Sequence, residues 1–255
     1  MPLPSPELFV LAEALPLGLL IGVVLGLSGL GAGSILTPIL LILFHLPPTE
    51  AVGTSLLFSL VTKAFGSWQH LRQGTADLAI IKPLALGAVP AALVAAMVLT
   101  WSPLHLPEVV VGKAVIGAVL LATALMTARL LGWLPRLKQR AGPFQLILLG
   151  VFIGLLVAIT SVGSGSITVS ALALLTPLGL ASMIGSDMVV AALISLVTAP
   201  IYLLSGQVDL LLTVALLLTS VPGVILGSHL AARLPQPALK ATVLIAMWGL
   251  VIKLI

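Results

Sequence analysis

Ser28-Gly-Leu-Gly-Ala-Gly-Ser34 interrupts an apolar segment running from Leu8 to Phe44, and Thr160-Ser-Val-Gly-Ser-Gly-Ser166 interrupts a second one from Phe144 to Thr176. Glycine costs about 1 kcal/mol against alanine inside a helix, so a helix is expected to break at each run. Non-helical backbone at membrane depth persists only where protein or a wet cavity satisfies its polar groups. The breaks are therefore expected to line a cavity, with each long segment turning back or continuing as a second piece.

The two breaks belong to a repeat. Gly18-Leu-Leu-Ile-Gly22 and Gly31-Ala-Gly33-Ser34-Ile35 recur as Gly150-Val-Phe-Ile-Gly154 and Gly163-Ser-Gly165-Ser166-Ile167, each 132 positions on. The same offset takes Gly53 to Gly185, Gly74-Thr-Ala-Asp77 to Gly206-Gln-Val-Asp209, and Val89-Pro90 to Val221-Pro222. Duplicated bundles with interrupted helices at matching positions are the sequence mark of a secondary transporter. The chain divides into a first transmembrane repeat at 1–132, a basic cytoplasmic linker at 133–143 and a second repeat at 144–255.

Composition agrees. Hydrophobic residues make up 60% of the 255 and charged ones 7%, whereas a soluble domain carries about a quarter charged residues. The formal charge of +4 comes from side chains at helix ends and loops, so it is a topology signal and not a nucleic-acid footprint. With no cysteine, a disulfide framework, a thiolate metal site and a dithiol relay all lack their chemistry. The first 62 residues contain no Lys or Arg, so the basic region of a cleavable signal peptide is missing and the first apolar segment is expected to be retained.

Crossing a bilayer takes roughly 20 apolar residues. Stretches near 51–70, 78–101, 109–131, 182–204 and 209–231 have that length, and a shorter one lies near 238–255. Cytoplasmic loops are enriched in Lys and Arg. If each opening segment returns to the side it entered, Arg72, Arg129, Arg136, Lys138, Arg140, Arg233 and Lys240 all fall inside, and the Arg-free loops at 45–50, 102–108 and 205–208 fall outside. A single crossing would instead place Arg233 and Lys240 outside. The fold expected is an all-α polytopic membrane protein of two inverted-topology repeats, with a broken or re-entrant first segment in each and both termini external.

A helix resuming at Ser34 or Ser166 starts with free N–H groups and the positive end of its dipole, an arrangement suited to an anion. Ser28, Ser34, Thr37, Thr160, Ser161, Ser164, Ser166 and Thr168 add hydroxyls. Gly31, Gly33, Gly163 and Gly165 coincide with these clusters and are assigned to the cavity wall; Gly18, Gly22 and Gly26, spaced by four, read as close helix packing. Thr54-Ser55 and Ser186-Asp187 are related by the repeat, with a carboxylate where the first copy has a hydroxyl. Asp187 reads either as a cap near a helix start or as a proton carrier or substrate contact. Lys63 falls mid-span, where it faces the cavity and meets the anion or Asp187, unless it snorkels to the surface. Asp77 and Asp209 read as helix N-caps, and Pro90 and Pro222 as kinks. The histidines have no ligand-like spacing, and neither a metal nor a cofactor is expected.

Gly26-Leu-Ser-Gly-Leu-Gly-Ala-Gly-Ser-Ile-Leu-Thr-Pro38, Ala51-Val-Gly-Thr-Ser55 and His70-Leu-Arg-Gln-Gly-Thr-Ala-Asp77, in this order and spacing, resemble the sulfite exporter TauE/SafE family of bacterial and archaeal inner-membrane permeases. The resemblance covers nearly the whole chain, more loosely in the second half. It implies transport of small sulfur-containing anions such as sulfite, thiosulfate or organosulfonates. Two departures bear on substrate choice: the glycine runs read Gly-Ala-Gly-Ser and Gly-Ser-Gly-Ser, and Asp187 stands where a small hydroxyl or apolar residue is more usual.

The function expected is that of a secondary transporter, an exporter of such oxyanions across the prokaryotic cytoplasmic membrane, with Ser28, Gly31, Gly33, Ser34, Thr54, Ser55, Lys63, Ser161, Gly163, Gly165, Ser166, Ser186 and Asp187 binding the anion. The alternatives are a passive anion channel and an accessory membrane subunit. An intramembrane enzyme is disfavoured because no His-x-x-x-His or Glu-x-x-His pair occurs to activate a nucleophile or a metal. No Gly-x-x-x-x-Gly-Lys-Ser phosphate loop occurs either. The partners expected are a small sulfur-containing anion and the lipid bilayer, not nucleic acid; a homo-oligomer is compatible with the sequence.

Overall fold

The computed structural model describes residues 6–28, 33–101, 107–133, 141–233, 244–245 and 248–253. Among them the regular structure is entirely helical: α1 (Pro6–Ser28), α2 (Gly33–Leu43), α3 (Pro48–Arg72), α4 (Leu78–Trp101), α5 (Glu108–Leu130), α6 (Pro143–Thr160), α7 (Ile167–Leu175), α8 (Leu180–Leu204) and α9 (Leu210–Arg233). Of these, α4, α5, α6 and α8 are long and apolar enough to cross a membrane. The outward faces carry large apolar side chains such as Phe65, Leu86, Val109, Phe144, Leu204 and Leu218, while much of the interior is small, with Ala88, Ala92, Ala96, Ala118 and Ala122 buried. A large apolar exterior over a small-residue interior is how helices pack when lipid is the solvent.

Helices α1 and α9 pack closely, as do α4 and α6, because glycine lets their backbones touch. A Cβ on Gly22 would overlap the Ser220 carbonyl and one on Gly154 the Ala88 carbonyl; Gly18 and Gly150 meet Leu216 and Leu84 in the same way. The contacting residue numbers rise together, so each pair is parallel. The partner residues also differ by 132, so the two interfaces are copies of one another with the halves exchanged.

The pair α3 and α8 runs the other way. Gly53, near the start of α3, lies against Tyr202 and Gln207 at the end of α8, and Gly185, near the start of α8, lies against His70 and Thr75 at the end of α3. The turns that follow these helices each contain a glycine at positive φ, 66° at Gly74 and 74° at Gly206, a conformation glycine adopts freely. The next helix then opens on an aspartate cap. Ala79 N–H donates to Asp77 Oδ1 and Leu212 N–H to Asp209 Oδ1, both at 2.9 Å, as the N-cap reading required. The prolines are absorbed, with α4 continuing through Pro83 and Pro90 and α9 through Pro222.

The second opening segment doubles back. Ala141 N–H, just before α6, donates to the Leu175 carbonyl at the end of α7 at 2.8 Å, so the two helices close into a hairpin. In its parallel packing on α4, α6 stops roughly 10 Å before α4 does, at 1.5 Å of rise per residue, which leaves the break well below the far end of the bundle. Helix α5 packs against both short helices. It is tied to α3 by Glu108, whose carboxylate accepts from the Thr49 N–H at 3.0 Å and the Thr49 hydroxyl at 2.7 Å.

Candidate functional site

The turn between α6 and α7 shows why its residues are glycine and serine. Backbone φ is 57° at Ser161, 127° at Gly163 and 86° at Gly165, values that side-chain-bearing residues seldom adopt. Local hydroxyls satisfy part of the unwound backbone: Thr160 Oγ1 donates to Leu156 O at 2.6 Å and accepts from Val162 N–H at 3.1 Å. Ser170 donates to Ser166 O at 2.6 Å. These hydroxyls complete the turn and are not available to a ligand.

The starts of the two short helices meet. Ser34 Oγ and Ser166 Oγ, related by the repeat, lie 3.2 Å apart. Lys63 reaches this point from α3, where its ammonium donates to Ser164 Oγ, and only 5% of the residue is exposed. Asp187, 4% exposed on α8, interacts electrostatically with Lys63, while the Thr168 hydroxyl donates to the Gly163 carbonyl at 3.2 Å. The lysine therefore does not snorkel. The aspartate does not cap its own helix, which begins at Leu180.

Several hydroxyls have no partner among the described residues. Thr37, Ser55, Ser59, Ser161 and Ser195 are buried with unbonded hydroxyl oxygens, whereas buried polar groups are nearly always bonded. Ser161 lies at the amino end of α2, its Oγ 2.7 Å from where a Cβ on Gly33 would stand. Ser55, Ser59 and Lys63 follow at four-residue steps on one face of α3. Ser59 and Ser195 escaped the sequence reading, although that spacing, and the offset of 132 between Lys63 and Ser195, mark both.

Thr54 and Ser186 have other work. The Thr54 hydroxyl accepts from Asp209 N–H and the Ser186 hydroxyl from Asp77 N–H, both at 3.0 Å. Each anchors the turn belonging to the opposite half. Ser28 is the last residue of α1, and Gly31 lies outside the described residues. Gly163 accepts from the N–H groups of Ile167 and Thr168 at 3.0 and 2.9 Å. Among the described residues, no three His, Asp or Glu side chains are grouped as a metal site.

The starts of α2 and α7 thus meet beside a buried lysine, inside a bundle whose exterior suits lipid. No solved structure matches the chain. It is 36% identical over 236 residues to the probable membrane transporter protein YjnA of Bacillus subtilis (strain 168), covering 87% of this chain and 91% of that one. It is 25% identical over 232 residues to the probable membrane transporter protein YdhB of the same organism, covering 88% and 91%. The family model for the sulfite exporter TauE/SafE matches residues 14–254; with nearly the whole chain matched, this multi-pass protein of the cell membrane belongs to the TauE/SafE family of transporters.

Proposed function

We propose that the chain is a secondary transporter that exports small sulfur-containing oxyanions or organosulfonates, binding them at the amino ends of α2 and α7 between two inverted repeats. The observation that carries this reading is the meeting of both broken ends at Ser34 and Ser166 beside a buried lysine. Half-helix amino ends present unpaired N–H groups and a positive dipole end, and a buried ammonium among hydroxyls adds the charge an oxyanion needs. The antiparallel arrangement of α3 and α8 and the hairpin closed by Ala141 and Leu175 support inverted repeats, a construction that lets one half rock against the other around a central site. Membrane potential can drive export, because each negative charge leaving a negative-inside cell gains about 2.3 kcal/mol per 100 mV.

The test is flux of labelled sulfite, thiosulfate and sulfoacetate, with a cation as control, in proteoliposomes at imposed potentials and pH gradients. Saturable flux of the anions, stimulated by the same anion on the far side, is the expected result. Flux that never saturates would make the protein a channel, and movement of the cation alone would end the anion assignment.

A further inference from the structure

His70 and Tyr202 are related by the repeat, 132 positions apart, and their rings take equivalent seats in the α3–α8 pair. Tyr202 Cδ1 lies 3.0 Å from where a Cβ on Gly53 would stand, and His70 Nδ1 lies 3.1 Å from where one on Gly185 would stand. Beyond those seats the two differ. The Tyr202 hydroxyl crosses to α6 and donates to the Ala158 carbonyl at 2.8 Å, and the residue is 1% exposed. That carbonyl is open to it because the helix breaks there: its helical donor, the Val162 N–H, bonds Thr160 Oγ1 instead at 3.1 Å. The residue 132 positions before Ala158 is Gly26, in α1. His70 makes no equivalent tie among the described residues; its Nδ1 is hydrogen-bonded at 2.8 Å to the Thr75 hydroxyl, in the turn after its own helix, and the residue is half-buried.

We infer that Tyr202 is the gate at one mouth of the transport path, latched in this structure on the broken end of α6, and that His70 is the gate at the opposite mouth, unlatched here. This rests on the transporter and inverted-repeat readings and not on the identity of the anion. By the loop charges, Tyr202 stands at the outer mouth, beside the Arg-free loop at 205–208, and His70 at the inner one, beside Arg72. Two inverted halves in different conformations face one side of the membrane, and exchanging those conformations faces the molecule to the other. The break in the second segment thereby gains a further use. An uninterrupted α6 would keep the Ala158 carbonyl bonded within the helix and leave the Tyr202 hydroxyl nothing to hold. A latch must hold one state and still release it, and a single hydroxyl-to-carbonyl bond, worth about fivefold in an equilibrium, meets both demands.

The chain has no cysteine, so one introduced thiol reports alone. On α8, Met188 meets Gly66 and Tyr202 meets Gly53; Ser195, seven residues from each, therefore faces α3 between them, about 10 Å inward of Tyr202 along the helix. Ser195→Cys replaces a buried hydroxyl that has no partner among the described residues. Labelling of that thiol by a membrane-impermeant reagent, in right-side-out and in inverted membrane vesicles, reads each mouth separately. With Tyr202 intact, labelling from outside should be slow. Tyr202→Phe removes the latch alone and should speed outside labelling about fivefold, the weight of one hydrogen bond. His70→Tyr supplies a hydroxyl at the inner mouth and should slow inside labelling while speeding outside labelling. Size-exclusion and thermal unfolding identify any variant that fails to fold; His70→Tyr, which leaves the outer latch in place, carries the test should Tyr202→Phe be one. Outside labelling unchanged in the folded variants, with only the unfolding midpoint of Tyr202→Phe lowered, would make the bond a structural tie and overturn the inference. So would a thiol that the reagent reaches from neither side. Labelling needs no substrate, so the anion reading can fail while the gates stand, and the gates can fail while anion flux persists.

Discussion

The two interrupted segments share a glycine pattern and a register, yet the side chains around them differ. Beside the second, Gly163 and Gly165 adopt positive φ, Thr160 and Ser170 bond the backbone, and Lys63 donates to Ser164. On the first, Gly33 presses on Ser161, whose hydroxyl is unbonded among the described residues. The second copy carries Asp187 where the first has Ser55, and the first carries Lys63 where the second has Ser195. Duplication gives both halves the same backbone pattern; a handful of side-chain differences sets them apart.

Substituting the two glycines tests that contrast most severely. A methyl group on Gly33 would overlap the Ser161 carbonyl, backbone that cannot swing aside, so Gly33→Ala should bring flux in proteoliposomes to background. Gly165→Ala places alanine at a φ of 86°, a local strain of about 1–2 kcal/mol, and should retain measurable flux. Equal loss in both would mean that the halves contribute alike.

The charge pair comes next. Lys63→Met leaves a buried carboxylate and Asp187→Asn a buried ammonium, and each should cost about 3–5 kcal/mol of stability. The double variant should recover most of that loss, a coupling readable in a double-mutant cycle of chemical unfolding. Ser195→Ala and Ser55→Ala, at the equivalent positions, remove hydroxyls that make no protein hydrogen bond and should change stability by less than about 1 kcal/mol. A Ser55–Ser195 coupling as large as that of the charged pair would break the comparison.

What the sequence made legible follows from which forces leave a local trace. Glycine runs, aspartate caps and the offset of 132 are written in adjacent residues, so the break between α6 and α7, the caps at Asp77 and Asp209 and the repeated register could all be read, while the break before α2 lies outside the described residues. The parallel packing of α1 on α9 joins segments far apart in the chain, and its only trace is the spacing of Gly18 and Gly22, which reads equally well as contact with any helix. Lys63 and Asp187 stood out because ionisable groups are rare at membrane depth. Ser164 is one of the hydroxyls named at the break, but a hydroxyl in a serine-rich run gives no sign of what it will bond, here Lys63. Thr54 and Ser186 carry a contact the sequence did not announce: each hydroxyl accepts an N–H from the opposite half, Asp209 and Asp77.

Smaller effects sharpen the picture where the halves do match. Gly53→Ala would drive its methyl group into the Gln207 carbonyl, whereas Gly185→Ala meets His70 Nδ1 at 3.1 Å and the Thr75 backbone at 3.2 Å, a few tenths of an ångström from ordinary contact. The first should cost about 2–3 kcal/mol and the second about 1, a difference that unfolding midpoints at constant slope resolve. Thr54→Val and Ser186→Ala should then give nearly equal losses, each about 1 kcal/mol, because each removes the acceptor of one part-buried cross-half hydrogen bond. That equality matters as much as the larger contrasts. If these two variants differed by as much as the charged and uncharged positions do, the asymmetry would pervade the whole interface instead of residing at Lys63, Asp187 and their counterparts Ser195 and Ser55.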